Sequence, residues 1–302
     1  MDNQINYMIP GLYEHYLLNK EFLEILKENR HCFYDGTTIR AVYGNFQYSI
    51  WDGGRVFSKY HHATLEEIEE ISSFYQKENI PIRLIFTNTK IQEQHCYDRF
   101  NNLVLSICED ELNEVVINSP ILEDYIRNKY PKYKFISSTT KCITDVNKLK
   151  EEINNPKYSL ICFDYNLNHN KNFLEKLSPE EKQKCEFLIN AICPPGCPER
   201  KNHYDLNSFS GLNYGKTFKL CHCGISGNGL GPDEICQVTH INPDEMLNYY
   251  LPNGFNNFKI EGRSFTSYIH LCNLINYMVK PKYQIYIMSL FNKFFTGNGE
   301  KN

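Results

Sequence analysis

Short β-branched and apolar runs alternate with amphipathic helical stretches along almost the whole chain, and no other feature narrows its possible folds as far. The strand-like runs are Thr38–Tyr43, Ile82–Phe86, Glu114–Ile117, Lys134–Ser137, Ser159–Phe163, Glu186–Ile189, Cys236–His240 and Phe258–Ile260. Helical patterns separate them, and one more, Tyr13–Glu28, precedes the first. Thr64-Leu-Glu-Glu and Ser178-Pro-Glu-Glu put a hydroxyl N-cap before an acidic first turn, and Asn242-Pro243 puts proline at a first helical position. A parallel strand needs a crossover to reach its neighbour, so this order predicts a parallel sheet wrapped by helices. Eight strands in one repeating unit predict a closed (β/α)8 barrel of TIM type. The 302 residues then make a single domain, 1–302, because no Ser/Gly/Pro-rich linker divides them. An irregular insertion, about 191–235, follows the sixth of these runs. The tail Ile285–Phe295 reads as a last amphipathic helix that closes the core.

Barrels of this kind gather active residues at the C-terminal ends of their strands, and here each apolar run ends in polar groups. Asn45, Thr87, Asn88, Asn118, Ser138 and Asn190 hold such positions. Asp164, His240, Glu261 and Arg263 hold others, and these four are the candidates for proton handling and substrate polarity. In Phe258-Lys-Ile-Glu-Gly-Arg263, strand alternation puts Lys259 and Glu261 on one face. Trp51-Asp52-Gly53-Gly54-Arg55 reads as a tight turn with a tryptophan and an arginine available for stacking or anion contacts. Gly227-Asn-Gly229-Leu-Gly231-Pro232 follows no strand and opens no helix, so it reads as a turn or flexible lid and not as a phosphate loop. There is no Ser/His/Asp order, nucleophile elbow or His-Glu-x-x-His run to carry ordinary hydrolase chemistry.

The insertion opens with Cys193-Pro-Pro-Gly-Cys197-Pro and later carries Cys221-His222-Cys223. The start, Met1-Asp-Asn-Gln, lacks the basic and apolar regions of a signal peptide, so the expectation is a cytoplasmic protein whose 12 cysteines form no disulfide framework. Thiolates on a loop stiffened by proline and glycine suit a metal. Cys193, Cys197, Cys221 and Cys223 would complete a 4Fe-4S cluster or, alternatively, a zinc site. Cys185 and Cys236 are reserve ligands, and His203 and His222 are further donors. Cys108, Cys142, Cys162 and Cys272 read as small core residues. A net charge of −4 without long like-charge blocks gives no case for general nucleic-acid binding, and no apolar run is long enough for a membrane span.

The Cys193-x3-Cys197 loop and Phe258-Lys-Ile-Glu-Gly-Arg263 resemble the collagenase-like peptidase family of unknown catalytic type, peptidase family U32, over about residues 186–263. The resemblance implies a TIM-like barrel. It also implies a 4Fe-4S cluster serving oxygen-independent hydroxylation, with Cys193 and Cys197 as ligands and Lys259, Glu261 and Arg263 at the substrate side. The family's usual set includes a cysteine well upstream and another ahead of the pair. Here Cys32 precedes the first strand-like run and Cys185 stands close to Cys193, so Cys221 or Cys223 would substitute. The family's peptidase label is not expected to transfer. The expectation is an oxidoreductase-type modification of a small or polar substrate, with an electron-donor or partner protein. Its rivals are a non-enzymatic zinc-stapled barrel that binds a partner and a metal-dependent hydrolase.

Overall fold

The computed structural model describes residues 4–47, 49–54, 63–213 and 238–296. Eight strands form a closed barrel in chain order: β1 (Ile5–Pro10), β2 (Thr37–Gly44), β3 (Ile82–Phe86), β4 (Glu114–Ile117), β5 (Lys134–Ser137), β6 (Leu160–Cys162), β7 (Cys185–Leu188) and β8 (Asn257–Lys259). Every pair is parallel, and β8 closes on β1 through Asn6 opposite Asn257 and Met8 opposite Lys259. The principal outer helices are α1 (Tyr16–Glu28), α2 (Leu65–Lys77), α3 (Arg99–Ile107), α4 (Pro120–Lys129) and α5 (Val146–Ile153). Two short helices follow, α6 (Lys171–Leu174) and α7 (Pro179–Gln183), then α8 (Arg200–Leu212) inside the insertion and the helix Ser267–Met278 after β8.

The expected barrel stands, but one of its strands is not among those expected, and one expected run forms no strand among the described residues. Ile5–Pro10 is the first strand; all six of its residues are buried, so it shows no alternation to mark it as a strand. Of the expected seventh strand, Cys236–His240, the first two residues lie outside the described residues and Val238 and Thr239 are helical. β7 pairs directly with β8, and Ile241 N–H donates to the Ile189 carbonyl as the chain returns along the β7 exit. The cysteine loop therefore leaves the seventh strand of the barrel. The insertion is also more ordered than expected, because α8 fills thirteen of its residues.

The capping signals are met. Thr64 and Ser178 close capping boxes with Glu67 and Glu181, and Asn242 closes one with Glu245. Between β3 and β4 the chain forms a 3-10 turn, Glu93–Tyr97, and then α3, separated at Asp98, whose carboxylate accepts from Asn101 N–H at 2.8 Å. The tail forms two short helices, Gln284–Leu290 and Asn292–Thr296, with Phe291 between them stacked on Phe22 of α1.

Among the described residues apolar packing occurs in three places: an outer layer between barrel and helices, a smaller inner cluster of Met8, Ala41, Tyr43, Ile85, Val116, Ile136 and Leu160, and a small group of Tyr165, Leu188 and Ala191 against which Cys193 packs. Charged residues share the barrel interior with that inner cluster. The Arg83 guanidinium meets Glu114 at 2.8 Å and is also bonded to Glu186, and all three side chains are fully buried. β3 and β7 are four strands apart in a ring of eight, so Arg83 and Glu186 bridge opposite walls. Arg40 reaches Glu114 at 2.9 Å, and Lys259 Nζ lies 3.9 Å from Glu186. Burial alone would raise the Glu186 carboxyl, but Arg83 and Lys259, with hydrogen bonds from Arg83 and Cys162, hold it below its ordinary value. Removing one member of a buried pair strands the other. Arg83→Met is expected to cost about 3–5 kcal/mol in urea unfolding, and a loss under about 1 kcal/mol would show that the pair does not brace the barrel.

A second buried polar group lies where β1 enters α1. His15 and His270 stack at 4.6 Å and 24°. Asn19 donates to the Pro10 and Gly11 carbonyls and presents its oxygen to His270 Nε2 at 2.9 Å. Burial lowers both imidazoles, and at His270 the neighbouring His15 adds to the effect. A histidine lowered in the folded state takes up its proton more readily when unfolded. The stability it contributes is therefore complete above the unfolded value of about 6.5 and is lost as pH falls below it. Unfolding free energy should fall between about pH 7 and pH 5, with a shallower slope in His15→Phe; an identical slope in that variant would contradict this assignment.

Candidate functional site

The rim at the C-terminal strand ends is built from paired charges. After β2, Asp52 accepts from Asn45 at 2.9 Å and from Arg263, beyond β8, at 2.5 Å. Gly53 is required there because a side chain would strike Ser208 of α8 at 2.2 Å and the Asn88 backbone at 2.5 Å. Trp51, expected as a stacking surface, is fully buried: its indole N–H donates to the His95 carbonyl and its ring packs edge-on against Phe86. Arg55 lies outside the described residues.

After β6, the Asp164 carboxylate accepts from Asn166 N–H and from the Arg200 guanidinium. Arg200 is the first residue of α8 and is 4% exposed. Its guanidinium lies 4.1 Å from the Tyr165 ring centre and 5.5 Å from that of Tyr204, and it also donates to Thr139 after β5. The cost of burying its charge is offset by the Asp164 carboxylate and by the Tyr165 and Tyr204 rings beside it. At the other end of α8, Ser208 accepts from Thr89 N–H at 3.0 Å and Asp205 pairs with Lys90 at 2.6 Å. The helix thus runs along the rim from β6 to β3.

The cysteine loop sits between these anchors. Cys197 N–H donates to the Pro194 carbonyl at 3.3 Å, Gly196 takes a positive φ of 63°, and Gly196 N–H reaches Asn166 at 2.8 Å. Cys193 and Cys197 lie on either side of this turn. Burial pushes the Cys193 thiol up, against a hydrogen bond from Tyr165 and the Arg200 charge, while Cys197 and Glu261 add to the rise. Glu261 accepts from Ile192 N–H at 3.1 Å, and its own N–H donates to Asn190 at 2.6 Å. His240 Nε2 bonds the Ala191 carbonyl at 2.9 Å, which leaves its other nitrogen to accept when the ring is neutral.

Asp164, His240, Glu261 and Arg263 therefore all stand at the mouth, each engaged with a different piece of the rim. Lys259 turns down the barrel, over the Tyr43 ring at 4.3 Å and toward Glu186. Cys108 and Cys162 are core residues, Cys142 and Cys272 are partly exposed, and Cys185 opens β7 at the end away from the mouth. Cys221, Cys223, Cys236 and the glycine-rich run 227–231 lie outside the described residues. Among the described residues no three His, Cys, Asp or Glu side chains converge on one point. Sequence reasoning missed Arg200 and Asp52. The signals were the arginine just after Cys197 in Cys-Pro-Glu-Arg and the acid inside Trp-Asp-Gly-Gly.

Arg200 fixes where α8 begins and hence where the loop ends, since its N–H bonds the Cys197 carbonyl at 3.3 Å. Arg200→Leu leaves Asp164 buried without a counter-charge and should destabilise the protein by about 3–5 kcal/mol. It should also speed alkylation of Cys193 and Cys197. Unchanged alkylation would show that the clamp does not position the loop.

No family model and no curated protein matches the sequence. The barrel is similar in fold to a solved structure, "The Structure of the U32 Peptidase Mk0906", with a TM-score of 0.51 and 13% identity over 86% of this chain and 93% of that chain. The likeness shows a U32-like barrel fold and nothing of its chemistry.

Proposed function

We propose that the mouth is a metal–thiolate centre in which Cys193 and Cys197, with Cys221 and Cys223, hold a 4Fe-4S cluster for oxygen-independent modification of a small polar substrate. The observation that supports this reading is a loop carrying both Cys193 and Cys197, braced by Gly196 on Asn166 and by Arg200 on the Cys197 carbonyl, at the C-terminal rim, where a barrel of this type does its chemistry. A bound cluster would supply one-electron chemistry. The chain's own residues supply the setting. Tyr165 and Arg200 flank Cys193 and partly offset the burial that pushes its thiol up; a bound metal would hold the deprotonated form. His240, with Nε2 on the Ala191 carbonyl, presents its other ring nitrogen beside the loop. The rim charges Asp52, Arg263, Asp164 and Arg200 are already paired, so the mouth suits a substrate recognised by hydrogen bonds more than one recognised by net charge. Peptidase activity is not part of the proposal, because fold likeness does not carry it.

One observation favours a second reading, a zinc centre that staples the insertion for a partner protein. Asp164 and Arg263 both spend their charge on holding the rim. The two readings separate on metal analysis of protein purified without oxygen, together with Cys193→Ala and Cys197→Ala. The iron–sulfur reading expects iron and acid-labile sulfide in the parent and loss of both in each variant. One zinc without sulfide supports the staple, and metal content untouched by either variant overturns both.

A further inference from the structure

A cleft of about 410 Å³ opens between the turn Glu93–Tyr97, α3 and α4, on the outside of the barrel and without any residue of the cysteine loop. Tyr97 is 73% exposed and stands edge-to-face against Tyr125, with ring centres 5.9 Å apart at 73°. Lys129 Nζ lies 5.3 Å from the ring centres of both Tyr125 and Tyr130. One amide fixes this floor. Asn102 Oδ1 accepts from Tyr125, Tyr130 and Lys129 at 2.7, 2.8 and 2.9 Å. Its nitrogen donates to the Cys96 and Asp98 carbonyls at 2.8 and 2.7 Å. The amide cannot flip without breaking bonds at both ends, so the tyrosines and the lysine are pre-arranged.

The lining carries two cations, Arg99 and Lys129, and no carboxylate, in a chain whose net charge is −4. The nearby Asp98 carboxylate is turned away to cap α3, where it accepts from Asn101. An exposed aromatic face beside two cations on a pre-arranged floor matches a planar ring that carries a phosphate. We propose that this cleft binds a nucleoside monophosphate, its base against the Tyr97 ring and its phosphate between Arg99 and Lys129. The site shares no residue with the metal centre proposed at the mouth.

Calorimetric titration of the full chain with adenosine 5′-monophosphate tests the proposal, with adenosine, inorganic phosphate and a tetra-adenylate strand as comparisons. The expected result is saturable binding at one site, about tenfold tighter than either fragment, weakened about tenfold by Tyr97→Ala and by Arg99→Gln. Salt should weaken it further. Circular dichroism of both variants should match the parent, because the two residues are exposed. Tighter binding of tetra-adenylate with the same dependence on Tyr97 and Arg99 supports the site and assigns its ligand to a strand end. Absence of saturation by both ligands, or affinity unchanged in both variants, overturns it.

Discussion

The ion pair that crosses the barrel, Arg83 on β3 to Glu186 on β7, is the constraint on which the rest of the structure depends. A closed sheet must fill its lumen, and branched apolar side chains usually do so. Here the inner apolar cluster shares the lumen with Arg83, Glu114, Glu186 and Lys259, which are viable there only because each has an opposite charge within reach. Replacing such a pair with apolar residues can be neutral or stabilising, so bulk stability is a weak reason for its presence. Geometry is a stronger one, because a bond between opposite walls fixes their separation and with it the spacing of the strand ends at the mouth.

The same device recurs at the rim. Asp52–Arg263 ties the β2 exit to the β8 exit, and Asp164–Arg200 ties the β6 exit to the start of α8. Arg200 does the most, because its guanidinium touches Asp164, Thr139, Tyr165 and Tyr204 while its backbone holds Cys197. The cysteine loop thus begins just beyond β7, at the Glu261-capped Ile192, and ends on a clamped helix. A loop restrained at both ends has little conformational freedom left to lose when its thiols take a ligand.

Much of this was legible in the sequence. Periodicity and capping residues placed six of the eight strands close to their observed positions, and Phe258–Ile260 overlaps β8. They failed at Ile5–Pro10 because a strand buried on both faces has no alternation to show. They failed at Cys236–His240 because a short apolar run does not distinguish strand from helix end. The polar strand ends were found by position alone. Their partners were not, because Asp52 and Arg263 are joined only by barrel closure, and nothing local in either segment signals the other. Arg200 stood in plain view after Cys197, but its role needs Asp164, which the chain places 36 residues earlier.

The account rests on the claim that the braced thiol pair at the mouth holds an iron–sulfur cluster. Mössbauer spectroscopy of protein grown on iron-57 and purified without oxygen tests it most directly. The account predicts a quadrupole doublet of delocalised, thiolate-ligated iron that disappears in Cys193→Ala. No iron signal, or a mononuclear iron signal unchanged by that substitution, would contradict it.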